Sequence, residues 1–313
     1  MILRDPGLSS LLVDAGRPRA RALGVPLGGA ADRAALALGN ALVGNAPDAL
    51  GLEFTLSGPT LEVEHSVAGV VFGAPFAVSI NQRRVAAGTT FSLAAGDVLR
   101  VGGTPAGARG YLCVAGGFDA PVVLGSRSGL EPLSAGATLV CAPSRCEPRG
   151  LGFSSLEEPN PPSPFPKREG GARVVRVLDG PQRDWFADDR FFAQDYEVTP
   201  ASNRMGLRLA GDPLARRPGE LVSEAVAPGA VQVANDGRPI VLGVDGQTIG
   251  GYPKVAHVVR ADLDLLAQLR PGEKVRFVRV TADEAQAAAR DRAAMLHFWL
   301  ARLRAADRRP VVG

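Results

Sequence analysis

The sequence predicts a mainly β protein made of two β domains with few helices, and three observations carry that expectation. Short apolar runs, often alternating with polar residues and punctuated by glycine, recur in both halves, as in "AVSINQRRVAAGTTFSLAAGDVLRVGG" and "GAVQVANDGRPIVLGV". That spacing marks antiparallel strands. Residues 148–172, "PRGLGFSSLEEPNPPSPFPKREGGA", concentrate proline, serine and glycine without a period, the composition of an extended connector. At 313 residues, the chain exceeds the usual size of one compact domain. The expected organisation is a first β domain over 1–147, a linker over 148–172, and a second β domain over 173–313 that ends in a helix.

Taken in order, the elements support this division. Residues 31–43, "ADRAALALGNALV", place Asp32 ahead of apolar residues at helical spacing, which predicts a helix covering one end of the first domain. Asn40 and Asn45 suit its end and the following turn. Glu53 interrupts the apolar run "LEFTL" and requires a partner if it is buried. "FSLAAGDVLRVGG" and "AQLRPGEKVRFVRV" each place a glycine and an acidic residue before a strand, a faint internal echo between the domains. In the last helix Thr281 and Glu284 form a capping box, and arginines 302, 304 and 308 complement the negative end of the dipole. Ala285, Ala288, Ala289, Leu296, Trp299, Leu300 and Leu303 make one apolar stripe, read as packing against its own domain, with a partner-binding helix left open by Phe298 beside Trp299.

Composition excludes several classes of function. The net charge is only +3, and although the pI is near 9.0, the arginines are scattered without interleaved aromatics, so nucleic acid is not the expected partner. The apolar part of the longest uncharged run, 66–80, is too short to cross a bilayer and contains Gly73 and Pro75. Cys113, Cys141 and Cys146 are odd in number and show no CxxC, which fits a reducing cytoplasm and implies no zinc site. His65, His257 and His297 lack metal-ligand spacing, so no metal is expected. No P-loop is present, and the serine-flanked Arg127 of "GSRSG" is no nucleophile elbow. Without a methionine beside a lysine there is no hairpin for covalent biotin; any ATP or biotin chemistry belongs on another chain.

Polar residues gather where a β framework alone does not call for them. Asp14, Arg17 and Asp32 punctuate "VDAGRPRARALGVPLGGAAD", a Gly-rich loop able to wrap an anion or to remain a solvated loop with an Asp–Arg pair. Asn203 and Arg204 open "SNRMGLRL", and Glu224, Gln232 and Asp245 lead to "GQTIGGYPK" at 246–254. There Gly250 and Gly251 allow positive φ and a close approach, Pro253 fixes the chain, Gln247 and Thr248 offer neutral donors and acceptors, and Lys254 adds a cation beside Tyr252. The set suits an amide, ureido or carboxylate ligand whose oxygen gains charge. The other reading is a glycine turn with Tyr252 packed over it and Lys254 in solvent.

Together, "VDAGR", "GVPLGGAAD", "LEFTLSGPTL", "YLCVAGGFDAPVVLGSRS", "SNRMGLRL", "SEAVAPGAVQV", "DGRPIVLGVDGQTIGGYPKVAHVV" and "LAQLRPGEKVRF" resemble, in order and over nearly the whole chain, the family of the 5-oxoprolinase C-subunit, also described as the KipI antagonist family. This is the biotin-dependent carboxyltransferase, allophanate hydrolase subunit 2-like family, similar to the first two subdomains of the urea carboxylase carboxyltransferase region. The resemblance implies two cyclophilin-like β-barrel domains, a cytoplasmic hetero-oligomer with KipI-like and LamB/YcsF-like partners, and ATP-dependent opening of 5-oxo-L-proline to L-glutamate, the isolated chain being inactive. Two other functions stay open beside it: a carboxyltransferase component using a partner's biotin on a urea-like acceptor, and a non-catalytic KipI-binding regulator. The motif matches carried over are Lys254, Gln247, Tyr252 and Glu224 as catalytic candidates, with Asn203, Arg204, Gln232, Asp245, Thr248, Gly250 and Gly251 as substrate-binding candidates. Departures fall in the first domain: Gly28 and Ala31 replace the family's usual serine and methionine, Gly129 stands at a usual threonine, "VFGAPF" is less polar, and a Gly-rich insert is absent between Leu130 and Leu133.

Overall fold

The computed structural model describes residues 1–142, 168–169 and 171–307. The chain divides into two compact units. The first comprises the described residues of Met1–Gly16, Asp32–Pro164 and Met295–Gly313; the second comprises those of Arg17–Ala31 and Phe165–Ala294. Apart from Arg168, Glu169, Gly171 and Ala172, the stretch 148–172 lies outside the described residues.

Two five-stranded sheets form the first unit. One runs in the order Ile2–Asp5, Thr60–Glu62, Val98–Val101, Val78–Ile80, Arg83–Val85, and the other Ser10–Val13, Gly51–Thr55, Arg109–Val114, Val67–Gly73, Phe91–Leu93. Leu3, Leu61, Leu99 and Val101 from the first sheet and Leu52, Phe54, Val71 and Leu112 from the second share one core. Every residue of Arg109–Val114 is buried, because the second sheet is also covered by the helix Arg33–Leu42. Gly39 permits that covering: a Cβ there would stand 2.9 Å from Cys113 Sγ and 3.2 Å from Phe72 Cβ. The helix begins as expected, with the Asp32 side chain accepting from the Ala35 N–H at 2.9 Å. Asn45 closes the following turn, donating to Val114 O and accepting from the Gly116 N–H.

Glu53 finds the partners its burial requires. It is 2% exposed, accepts from the Tyr111 hydroxyl at 2.8 Å, and pairs with Arg109 at 3.4 Å. The same Tyr111 oxygen accepts from the Asp32 N–H, so the network ties the helix start to the sheet.

The second unit is a closed barrel of seven strands. Ala172–Asp179, Lys254–Val258, Ala230–Val233, Pro239–Leu242, Gly206–Ala210, Tyr196–Val198 and Lys274–Arg279 pair antiparallel in that order, and Lys274–Arg279 closes the ring by parallel pairing with the first. Val175, Val177, Val231, Val233, Val241, Val255 and Phe277 fill the interior, where Phe191 stacks on Phe277 at 4.8 Å between centroids. The expectation of two barrels is thus met by one: among the described residues, no pairing closes the first unit's two sheets into a ring.

The helix Ala282–Asp307 carries the anticipated capping box, with the Thr281 N–H donating to Glu284 Oε2 at 2.7 Å and the Glu284 N–H to Thr281 Oγ1 at 3.3 Å. Its apolar stripe is buried only toward the end, at Trp299, Leu300 and Leu303, in the stretch assigned to the first unit. No helix among the described residues is long and apolar enough to cross a membrane.

Candidate functional site

On the barrel, Gln232 lies between Val231 and Val233, both in the core, so strand alternation sends its side chain to the outer face. It is nevertheless only 1% exposed. Across the ladder, Val231 pairs with Ala256 and Gln232 with Lys254, leaving Val255 as an extra residue. This bulge lets Val255 and Ala256 both enter the core while Lys254 lies beside Gln232. A lysine at 3% exposure needs an anion, and the Nζ of Lys254 contacts Glu224 Oε1. Glu224 stands on a two-stranded cover in which Glu224–Ala225 pairs with Ile249–Gly250.

Gln182 completes this niche, a residue that pattern and spacing do not single out. Its Nε2 donates to Glu224 Oε1 at 2.7 Å, its Oε1 accepts from the Lys254 N–H at 3.1 Å, and its N–H donates to Lys254 O at 3.3 Å. Gly180 makes the approach possible, since a Cβ there would lie 2.2 Å from Lys254 O. The turn "DGPQ" directly after a strand is the sole sequence signal for Gln182, and such turns are common.

The glycines of "GQTIGGYPK" are required for space. Neither Gly250 nor Gly251 has positive φ, which corrects the expectation drawn from glycine's freedom. A Cβ on Gly250 would stand 2.5 Å from Gln232 Nε2, and one on Gly251 3.2 Å from Leu221 O. Gln247 Nε2 donates to Gln232 Oε1 at 3.3 Å. Thr248 is buried, and its carbonyl accepts from the Val226 N–H. Tyr252 stands 38% exposed, two residues from Lys254. Lys254, by contrast, is not in solvent.

The charges respond to this geometry. The Lys254 ammonium, followed by the Gln182 amide, holds the Glu224 carboxyl below its ordinary value, so it stays ionised near neutrality. Burial lowers the His257 pKa, with the Lys254 charge adding to it, which favours neutral imidazole.

A second cluster in the same unit gathers Arg204, Asp245 and Arg17. Asn203 shapes the turn, accepting from the Met205 N–H at 2.9 Å, and Arg204 grips Asp245 through Nε at 2.6 Å and Nη2 at 3.1 Å. Arg204 Nη2 also donates to Gly29 O at 2.7 Å, and the Gly28 N–H donates to Val244 O. A Cβ on Gly28 would meet Arg17 Nη1 at 3.4 Å, so this glycine, at φ +62°, sits against the buried guanidinium. Segment 17–31 therefore belongs to the barrel unit.

Asp14 and Asp32 are occupied elsewhere, in the first unit. Asp14 Oδ1 accepts from the hydroxyls of Ser126 and Ser128 at 2.6 Å and from the Gly16 N–H at 2.7 Å, and Oδ2 accepts from the Arg127 N–H. Burial raises its pKa, but these hydroxyls and amides outweigh it and bring the net value below the ordinary one. Asp32 caps its helix.

Chemically, the niche on the barrel offers an ammonium, neutral amides and an ionised carboxylate in one place. That set can bind and polarise a small oxygen-bearing ligand. Among the described residues no group of three or more His, Cys, Asp or Glu side chains is arranged to hold a metal ion.

The sequence profile of the family described as carboxyltransferase domain, subdomain A and B, matches residues 23–279. The chain is 35% identical to the 5-oxoprolinase C-subunit of Haemophilus influenzae, over 87% of this chain and 88% of that protein. It is also 35% identical to the 5-oxoprolinase C-subunit of Escherichia coli, over 91% and 93%. Among solved structures, TTHA0988 superposes with a TM-score of 0.76 at 34% identity, the match covering 88% of this chain and 55% of that one. Kluyveromyces lactis urea carboxylase gives a TM-score of 0.84 at 26% identity, over 95% of this chain and 29% of that far longer one.

Proposed function

The chain belongs to the family of carboxyltransferase domains, subdomains A and B, and from that premise we propose that it is the C-subunit of an ATP-dependent 5-oxoprolinase complex that hydrolyses 5-oxo-L-proline to L-glutamate. The supporting observation in the site is the buried Lys254, paired with half-exposed Glu224 and walled by Gln182, Gln232 and Gln247.

A lactam resists attack by water because its nitrogen donates into the carbonyl. Transfer of a phosphoryl group from ATP to the lactam oxygen, with ADP leaving, makes the ring carbon electrophilic; water adds there, the ring C–N bond breaks as the nitrogen takes a proton, and a second water releases phosphate from the resulting acyl phosphate to give the amine and carboxylate of glutamate. In this reading Lys254 and Gln247 steady the oxygen as charge develops, Glu224 is the ionised partner of Lys254, and Tyr252, Thr248, Gly250 and Gly251 shape the approach. Arg204, Asp245 and Asn203 hold the adjoining loop. The chain has no P-loop, so ATP falls to a partner; the family resemblance supports KipI-like and LamB/YcsF-like proteins as the other members of the complex. The cysteine pattern supports a cytoplasmic location. The cyclophilin-like plan extends to the first unit as an opened form of the barrel, in keeping with the single core shared by its two sheets.

The match to K. lactis urea carboxylase favours a second reading, transfer of a carboxyl group from biotin on another chain to a urea-like acceptor. One experiment separates the two: the chain is assembled with the other members of its complex and ATP-dependent glutamate formation from 5-oxoproline is measured, with Lys254→Ala and Gln247→Ala alongside. A complete assembly that makes no glutamate removes the first reading. Full activity in both variants removes the site assignment, and turnover by the isolated chain contradicts the division of labour.

A further inference from the structure

The Gln232 amide is used on one side only. Its Oε1 accepts from Gln247, whereas its Nε2 has no hydrogen-bond partner among the described residues, at 1% exposure. An NH2 group buried without an acceptor carries the full cost of its desolvation, so such groups are rare and call for a physical reason. Reversing this amide alone would set its NH2 against that of Gln247. Gly250 lets Nε2 come this close to the covering strand, since a Cβ there would stand 2.5 Å from it. On the neighbouring strand stands Lys254, whose buried Nζ contacts the Glu224 carboxylate, an interaction that engages one of its three N–H donors. Side chains of directly paired residues lie about 5 Å apart at Cβ, within joint reach of one small group.

We infer that Gln232 Nε2 and Lys254 Nζ together bind one acceptor-only oxygen group of the substrate, a ring carbonyl or a carboxylate, and that Gln232 is thereby a specificity-determining residue. A ligand that presents an N–H at this point meets two donors and is rejected. The choice of 5-oxoproline as ligand rests on the 5-oxoprolinase reading; the oxygen site itself rests on the geometry.

The test uses the assembled complex without ATP. Binding of 5-oxo-L-proline, of L-proline, which has the carboxylate alone, and of 2-pyrrolidinone, which has the ring carbonyl alone, is measured by calorimetry or ligand-observed NMR. The wild-type complex is expected to bind 5-oxoproline. Gln232→Glu keeps the shape but replaces the donor, and should weaken 5-oxoproline roughly tenfold or more. It should weaken the one single-group probe that carries the recognised oxygen and spare the other, a selectivity that a merely structural role would not produce. Gly250→Ala keeps the Gln232 amide but pushes it aside, since the new Cβ would stand 2.5 Å from Nε2, and should weaken the same probe; it carries the test if the first variant fails to fold, as judged by melting temperature. Unchanged binding in folded variants overturns the inference, as does a wild-type complex that binds none of the three probes. Gln232-dependent binding without glutamate formation upholds the oxygen site and removes the 5-oxoprolinase reading. Glutamate formation with an unchanged KM in Gln232→Glu does the reverse.

Discussion

The ammonium of Lys254, 3% exposed, is paired with the carboxylate of Glu224, 42% exposed, so a buried cation depends on a partner that itself faces solvent. The asymmetry makes Glu224 the adjustable member: it can move without leaving a buried charge of its own, whereas Lys254 cannot.

Glu224→Gln should therefore show its effect in the pH dependence of stability. The folded carboxyl titrates below its ordinary 4.5, so the unfolded chain binds its proton first as the pH falls. Stabilisation by the pair is complete above 4.5 and is lost as the pH drops through the lower folded value. Melting temperatures of the wild type should exceed those of Glu224→Gln near neutrality, and the gap should close below pH 4.5.

His257 reports on the same ammonium. Its pKa is lowered below 6.5 by burial first and by Lys254 second, so Lys254→Met should raise it without restoring 6.5. Titration of the His257 ring protons by NMR in both proteins measures the shift; no change would show that the charge does not act there.

Asp14→Asn should destabilise the first unit by about 1–3 kcal/mol, since an amide cannot accept from the Ser126 and Ser128 hydroxyls and the Gly16 and Arg127 amides together. Denaturant unfolding measures the loss. Unchanged stability would mean that the loop holding Ser126 and Ser128 does not depend on the carboxylate.

Arg204→Lys replaces a planar fork with a point charge, and only the fork serves Asp245 and Gly29 O at once. Cleavage within 17–31 by a protease should become faster while the barrel stays folded by circular dichroism.

Thr281→Ala breaks the capping box and should cost about 1 kcal/mol of stability, read from thermal unfolding. Because the cap is exposed, ligand binding at the niche should be unaffected.

Much of this architecture is legible in the sequence because it is local. Alternation gives the strands, Asp32 and the Thr281–Glu284 pair give the helix starts, and Glu53 announces its own need for a partner. Within the site, "GQTIGGYPK" and "SEAVAPGAVQV" mark the two stretches that meet. Gln182 is not legible, because its bond to the Lys254 backbone spans 72 positions and leaves no periodic trace. Neither is the reason for Gly250, which is a collision with a side chain on another strand.

The sequence by itself determined the β pattern, the helix caps and the order of motifs that assigns the family, since each depends on residues near one another in the chain. Tertiary structure alone decided that segment 17–31 joins the barrel unit, that Asp14 serves serines 126 and 128, and that a bulge at Val255 sets Lys254 beside Gln232. These follow from burial, which obliges each charged or polar group to find a partner at any sequence distance.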